Sequence, residues 1–534
     1  MSNAAASNTD VVTPVEAASI AASARWKYYA RRAVHASFWS MLMRVALRGT
    51  GVVRNVVLAR LLAPEDFGLF GIALVVLSLI DRFSDSGLHS ALIQRDRDIA
   101  EYLDTAWTVQ ALRGTVAAVA LALGGPLLAG FFGEPRAAPL IQVLGLSIFL
   151  RGFLNPGVLY FRRELEVNRQ FMLRFGGAIV DLAVSIVAAL VLRNAWALMI
   201  GLIAGLLTRV VVSFILHPFR PTLRLRFDQL RELSHYGRWL FLSNVLGFLI
   251  YKGDNLLVGK LIGAPALGIY MMAYMISEVI TIEIGRTLTL VAFPAYSRLQ
   301  GDLRRIRRAF CTVLELLWAV VAPIAVVVSI LAEPITLFLL GPRWSQVASL
   351  LPFLAVAGGV RVLINNASTI FRALGRPSWA FRQDVISVVL IFSLMYPFGT
   401  MLGLNGVAIA VMLGLMGSAV SAVLYIRSLL KLRFHELARS LTPGLILSVG
   451  VLGSIGLMQL IIPPASKVGL AAAVGAAGAI YGIGAFLLWR TAAIGPLRIL
   501  PLVRGAARTR SESRKPSADQ TEHARLIFDQ QTDN

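Results

Sequence analysis

The sequence predicts an all-α polytopic membrane protein of about fourteen transmembrane helices, set out as two six-helix lobes in a parallel pseudo-twofold repeat plus two C-terminal helices. Three observations predict it. Hydrophobic residues make up 57% of the 534 and charged residues 15%, and the mean hydropathy is +0.71, more apolar surface than a soluble core needs. Apolar stretches of about 20 residues, each long enough to cross a hydrocarbon core as helix, recur from near residue 37 to near residue 490. The first half of that series also resembles the second.

Residues 1–36 lack an uninterrupted apolar segment of signal-peptide type and carry Arg25, Lys27, Arg31 and Arg32 just ahead of the first span, which reads as a retained cytoplasmic arm. Spans 1 to 6 are expected near 37–62, 67–93, 105–132, 138–160, 171–193 and 195–216, forming an N-lobe over 37–216. A cytoplasmic linker, 217–236, leads to spans 7 to 12 near 237–262, 266–296, 309–332, 346–371, 380–402 and 405–426, a C-lobe over 237–430. A second linker, 431–441, precedes spans 13 and 14 near 442–462 and 468–490, where Gly475, Gly478, Gly482 and Gly484 favour close helix packing. The remaining 491–534 is polar and mixed in charge beyond about residue 505, and reads as a largely disordered cytoplasmic tail.

An even number of spans puts both termini on one side, and Lys and Arg between spans favour that side by roughly nine to one, the positive-inside signature. Arg162, Arg163 and Arg169, then Arg220, Arg224, Arg226 and Arg231, then Arg298, Arg304, Arg305, Arg307 and Arg308 all fall there. The opposite turns are short, as in Ala63-Pro64-Glu65-Asp66 and Gly263-Ala264-Pro265. Most of the net charge of +22 therefore reports topology, with an attraction for anionic lipid headgroups, and no soluble basic face remains to bind nucleic acid. The single cysteine, Cys311, excludes an intramolecular disulfide, and the six histidines show no metal-ligand spacing. No cofactor and no metal are expected.

Trp39, Asn55, Arg60, Leu61 and Gly68 recur at an offset of 200 as Trp239, Asn255, Lys260, Leu261 and Gly268. Arg151, Asn155, Phe161 and Arg162 recur at an offset of 210 as Arg361, Asn365, Phe371 and Arg372. Each repeat holds an even number of spans, so the halves share an orientation and are related by an axis along the membrane normal, a transporter's arrangement with a site expected between them near mid-membrane.

The run Leu58-Ala59-Arg60-Leu61-Leu62-Ala63-Pro64-Glu65-Asp66-Phe67-Gly68-Leu69, with Phe83-Ser84-Asp85-Ser86-Gly87-Leu88 and Ala91-Leu92-Ile93-Gln94-Arg95 after it, resembles the polysaccharide transporter family of Wzx-type flippases, especially its WzxC-like branch, within the multidrug/oligosaccharidyl-lipid/polysaccharide superfamily. Asp254-Asn255-Leu256-Leu257-Val258-Gly259-Lys260-Leu261, Ala266-Leu267-Gly268-Ile269-Tyr270 and Phe293-Pro294-Ala295-Tyr296-Ser297-Arg298-Leu299 are similar to its other marks. Ser86 and His89 stand where the family often has small or apolar residues. The resemblance covers about residues 37 to 430 and implies movement of an undecaprenyl-diphosphate-linked oligosaccharide to the outer leaflet of a bacterial inner membrane, for exopolysaccharide or lipopolysaccharide-type surface glycan assembly. It also implies a polysaccharide polymerase or export machinery as partner.

A diphosphate crossing about 30 Å of hydrocarbon needs cationic or hydrogen-bonding groups facing a hydrated cavity. Each charge at mid-span costs about 2.5–3.5 kcal/mol on insertion scales, so charges inside the spans are expected to face the interior. Arg44, Arg48 and Asn55 fall on one stripe of span 1, and Asn244, Tyr251 and Asn255 on the equivalent stripe of span 7. Arg151 with Asn155, and Arg361 with Asn365, form i, i+4 pairs repeated in both halves, and Lys252 adds a cation. These are the expected substrate-binding residues. Asp254, Glu278, Glu283 and Arg286 are candidates for binding a coupling H+ or Na+, against the alternative that Glu283 and Arg286 pair as structural glue. Arg82 with Asp85 reads either way, and Arg54, Arg60 and Arg209 are expected to snorkel near the surfaces.

Rival readings are a lipid II-type or multidrug transporter of the same superfamily and, from a different class, a membrane-embedded polysaccharide polymerase or ligase. A cation exporter calls for a cavity rich in carboxylates, whereas the deep charges here lean basic. An enzyme calls for a sizeable outer loop carrying acids and bases, and the longest, around 333–345, offers Glu333 alone. The chain is not expected to be an enzyme.

Overall fold

A computed structural model describes residues 14–84, 99–164, 166–226, 237–462 and 467–490, with the side chains of 14–37, 84, 162, 237–244, 279–284, 286–291, 467 and 489 outside that description. The described residues are helices joined by short turns. In chain order they are α1 (Pro14–Leu61), α2 (Pro64–Ser84), α3 (Ala100–Phe132), α4 (Ala138–Gly152), α5 (Val158–Arg163), α6 (Val167–Leu192), α7 (Trp196–Leu216), α8 (Gly237–Leu261), α9 (Ala264–Arg298), α10 (Leu303–Ile330), α11 (Ala332–Leu339), α12 (Ser345–Ala373), α13 (Pro377–Leu430), α14 (Phe434–Ile461) and α15 (Lys467–Arg490). Eight of them, α3, α6, α7, α10 and α12 to α15, are long and apolar enough to cross a membrane. The chain is thus an all-helical, multi-span membrane protein.

Proline and glycine punctuate the helices for local reasons. In α13 the helix breaks at Gly403, whose φ of 59° and ψ of −137° are open to glycine and strained for other residues. The expected span at 138–160 is not one helix: α4 ends at Gly152 and α5 begins at Val158. Pro156 lacks an N–H and disfavours helical geometry at Asn155. The Asn155 side chain then accepts from the Gly157 N–H at 2.9 Å, closing an Asx turn.

The chain forms two compact units. One comprises residues 1–62, 76–130 and 135–244. In it α6 and α7 pack along their length, α1 lies against α6, and α4 lies against α7. The second comprises residues 63–75, 131–134 and 245–534. There α12 packs against α9, α10 and α13, and α14 joins α10 to α15. Its core is aromatic as well as aliphatic, with Tyr296, Phe310 and Phe371 fully buried among residues of α9, α10, α12 and α13. Within the second unit, the glycines matched at the 200-residue offset meet reciprocally. A Cβ on Gly68 would strike the Ala264 carbonyl, and one on Gly268 would strike the Pro64 carbonyl. Small residues are needed there because the two helix starts touch backbone to backbone.

Candidate functional site

Among the described residues, three polar assemblies bring charged side chains of different helices together. The first lies in the first unit at the end of α4. Arg151 reaches Asp81 of α2, Nη1 to Oδ2 at 2.5 Å, with both side chains about one-third exposed. Arg174 on α6 and Arg209 on α7 belong to the same unit and are each half-buried. Arg209 Nε is buried without a hydrogen-bond partner among the described residues, as is Arg48 Nε on α1. Arg209 is half-buried, with its stem and Nε inside the protein.

Asn155 departs from expectation. Because the chain leaves the helix at Phe153, Arg151 and Asn155 share no helix face. Asn155 is fully buried, and its Nδ2 donates to the carbonyls of His217 and Phe219 at 3.3 and 2.8 Å. Ser213 Oγ accepts from its backbone N–H at 3.1 Å. It fastens the chain leaving α7 and has no free polar atom to offer a substrate through that amide. The Asn155-Pro156-Gly157 sequence was the available signal, since Asn-Pro marks a turn.

The second assembly joins α1, α6 and α7. Arg54 Nε stands 2.9 Å from Asp181 Oδ1 and 3.2 Å from Ser185 Oγ, while Nη1 and Nη2 donate to Asn55 Oδ1 and the Leu198 carbonyl at 3.4 and 3.2 Å. Ser185 in turn donates to Asp181 Oδ1 at 2.9 Å. Arg54 was expected to snorkel; instead it is mostly buried and locks three helices together. Asn55 takes part through Arg54, while Arg44 and Arg48 are half-buried on α1.

The third assembly runs through the second unit from α8 to α12. Asp254, buried, accepts from Tyr270 Oη at 3.1 Å, and Tyr270 packs edge-on against Tyr274 at 5.0 Å. Tyr274 Oη accepts from Arg361 Nη2 at 3.1 Å, and Arg361 Nη1 lies 3.4 Å from Glu278 Oε1. Two carboxylates, two phenols and one guanidinium therefore form a continuous chain across α8, α9 and α12. Asn365, on the same continuous helix as Arg361, is exposed whereas Arg361 is buried. Asn255 is buried beside Asp254, donating its backbone N–H to Asp254 Oδ1 at 2.8 Å, and Lys252 is half-buried. The side chains of Asn244, Glu283 and Arg286 lie outside the described residues, as do Asp85, Ser86, His89 and the segment 491–534.

Arg151 and Arg361, matched in sequence at the 210-residue offset, thus each hold a carboxylate from the second helix of their own half, Asp81 and Glu278. Asp81 and Asp181 were not singled out from sequence, although each is an acid inside an apolar run, which is itself the signal. Among the described residues no group of three or more His, Cys, Asp or Glu could hold a metal ion.

An all-helical fold with ion pairs sunk in apolar helices defines a polytopic membrane protein, and solved structures share its fold. It is similar to lipid II flippase MurJ in an inward closed conformation, with a TM-score of 0.67 and 14% identity, covering 86% of this chain and 99% of that one. It is also similar to an inward-facing multidrug resistance MATE family transporter of the MOP superfamily, with a TM-score of 0.57 and 18% identity over 73% of this chain and 94% of that one. The family described as polysaccharide biosynthesis protein matches residues 57–349, more than half of the chain, and the chain belongs to it. The lipopolysaccharide biosynthesis protein WzxC of Escherichia coli is 26% identical over 381 residues, 70% of this chain and 77% of that protein. The succinoglycan biosynthesis transport protein ExoT of Rhizobium meliloti is 22% identical over 353 residues, 66% of this chain and 71% of that one.

Proposed function

We propose that the chain is a flippase that carries an undecaprenyl-diphosphate-linked oligosaccharide from the cytoplasmic to the outer leaflet of a bacterial inner membrane, for exopolysaccharide or surface-polysaccharide assembly. The observation that carries it is the pairing of arginines with carboxylates within the helices of a polysaccharide-biosynthesis family member, Arg151 with Asp81 and Arg361 with Glu278. Relatives named as a succinoglycan transport protein and as a probable low-salt glycan biosynthesis flippase of Haloferax volcanii, 22% identical over 386 residues, support the same cargo class. In this reading fourteen spans form two six-helix lobes, 37–216 and 237–430, joined by cytoplasmic linkers, with spans 13 and 14 last and both termini cytoplasmic. The reciprocal contacts of Gly68 and Gly268 support the parallel repeat.

The ion pairs suggest how such a protein works. A diphosphate offers guanidinium the same planar, bidentate hydrogen bonding as a carboxylate, with more charge. Diphosphate takes Arg151 from Asp81 in the first unit and Arg361 from Glu278 in the second, with Arg44, Arg48 and Asn55 of the first and Asn255, Lys252 and Asn365 of the second as further donors. A carboxylate stripped of its partner in apolar surroundings sheds its charge by taking H+ or Na+. The Asp254–Tyr270–Tyr274–Arg361–Glu278 chain supplies both the exchange and the ion acceptors for rocking of the lobes. No bond is made or broken in the cargo, so the protein is a transporter and not an enzyme.

The test is a deletion strain whose lipid-linked oligosaccharide is assayed for the membrane face it occupies, then complemented. Full-length intermediate confined to the cytoplasmic face and released by the wild-type chain is the expected result. Intermediate that reaches the outer face yet stays unpolymerised would place the protein after flipping and overturn the reading.

A further inference from the structure

In the first unit, where α5 meets α6 and the chain leaves α7, a cleft of about 280 Å³ is lined by Tyr160, Phe161, Glu164, Glu166, Arg169 and His217. Its position is determined from below. Asn155 ties down the carbonyls of His217 and Phe219, and His217 packs so closely on Gly157 that a Cβ there would strike the imidazole. The imidazole lies parallel to the Tyr160 ring, 4° between planes and 5.7 Å between centroids, and meets Phe161 edge-on at 5.7 Å. His217 Nδ1 accepts the Phe219 N–H at 3.2 Å, which leaves the proton on Nε2 as a donor. Burial and the neighbouring Arg169 hold its pKa below the ordinary 6.5, so the ring is neutral at pH 7.

Such a lining narrows the ligand. Aromatic rings beside carboxylates suit an organic cation, but Arg169 already stands 5.5 Å over the Phe161 ring and 3.4 Å from Glu166, filling that role from within the protein. Among the described lining residues a bare diphosphate meets two carboxylates, Glu164 and Glu166, against the guanidinium of Arg169. What remains is a ligand with apolar C–H faces and many hydroxyl donors. Phe161 is itself buried, and the partly exposed Tyr160 ring is the one to pack against the C–H face of a pyranose while carboxylates accept from its hydroxyls. The other half of the sequence shows that the fold does not require this lining. At the 210-residue offset Tyr160, Glu164, Glu166 and Arg169 become Ile370, Leu374, Arg376 and Trp379. Trp379 closes on Phe371 and Tyr425 at 5.9 and 5.4 Å, with Arg376 capping it at 4.9 Å.

We infer that this cleft is a sugar-binding subsite that engages one hexopyranose of the glycan at the cytoplasmic end of the first unit, apart from the arginines that would hold the diphosphate. The inference rests on the flippase reading for its cargo and orientation, but the cleft's affinity for sugar stands independently of it. The subsite checks the glycan before translocation, so sugar identity is read where the oligosaccharide is made.

The test uses the full chain in lipid nanodiscs and saturation-transfer NMR with methyl α-glucopyranoside, galactopyranoside and mannopyranoside, with glycerol and choline as controls. Irradiating aromatic protons is expected to saturate the ring C–H protons of at least one glycoside above the glycerol level. Tyr160→Phe keeps the signal, while Tyr160→Ala weakens binding roughly threefold to tenfold, the worth of one aromatic contact. Arg169→Trp, which installs the residue the other half carries, fills the cleft and removes the signal, and size-exclusion profiles confirm that each variant is folded. No glycoside signal above glycerol, a signal unchanged by both Tyr160→Ala and Arg169→Trp, or saturation of choline in place of the glycosides overturns the inference. Because it is measured on purified protein, a negative result is distinct from failure of the leaflet assay, which tests flipping itself.

Discussion

Arg361 offers the sharpest separation of structural from functional charge. Its side chain is 10% exposed and that of its partner Glu278 is 18%, at 3.4 Å. Removing one member of a buried pair leaves the other charge uncompensated and costs about 3–5 kcal/mol, whereas replacing both with apolar residues of similar volume is neutral or stabilising by about 1–4 kcal/mol. Arg361→Met is therefore expected to lower unfolding stability by about 3–5 kcal/mol, Glu278→Leu by a similar amount, and the double variant to return to near wild type. The assay is denaturant unfolding in nanodiscs followed by tryptophan fluorescence, run as a double-mutant cycle beside the leaflet assay of lipid-linked oligosaccharide. All three variants are expected to fail in transport, because the double variant restores the fold without restoring a guanidinium. Costs that simply add in the double variant would refute the pairing, and a stable double variant that still exports would refute a role for Arg361 in holding the cargo.

Other expectations follow from the same geometry. Asp181→Ala should destabilise the first unit more than Asp181→Asn, because the amide still accepts from Arg54 and Ser185; unfolding midpoints of the two variants decide it. Gly403→Ala, which forces a Cβ onto a positive-φ residue outside the left-handed helical region, should cost about 1–3 kcal/mol, read from the same unfolding curves. Asn155→Ala should free the chain leaving α7, seen as faster amide exchange at His217 and Phe219, while Asn155→Asp keeps the Asx turn and loses the two donated bonds. Low pH should loosen the α10 and α14 starts. Backbone N–H groups of Arg305 and Arg304 hold Asp302 below its ordinary 3.8, and the Arg433 N–H and Arg307 hold Glu436 below its ordinary 4.5. Depressed carboxylates contribute stability that is complete above those ordinary values and is lost as pH falls through the lowered ones, so thermal stability should drop below about pH 4.5 and less so in Asp302→Asn.

Much of the protein was legible without coordinates. Helical spans are local facts: apolar runs of membrane length bounded by Pro, Gly or charge read the same in any fold, because no water is available in the bilayer to satisfy an open backbone. Arg151 and Arg361 stood out for the same reason, since a guanidinium inside such a run is too costly to be incidental. Asn155 could have been read better, because the proline after it already argued against a continuous helix. Arg54 could not, since nothing in its neighbours along the chain names Asp181, 127 positions away, as its partner.

The sequence by itself determined that this is a multi-span helical membrane protein, the family it belongs to, and which residues bring charge into apolar surroundings. Only the tertiary structure decided what those charges meet: Asp81 for Arg151, Glu278 and Tyr274 for Arg361, Asp181 for Arg54, and a cleft of aromatic rings and carboxylates around His217. The physical reason is one of range. Insertion into a membrane is decided residue by residue along a span, whereas the pairing of a buried charge depends on which helices become neighbours, and that is decided by packing of the whole chain.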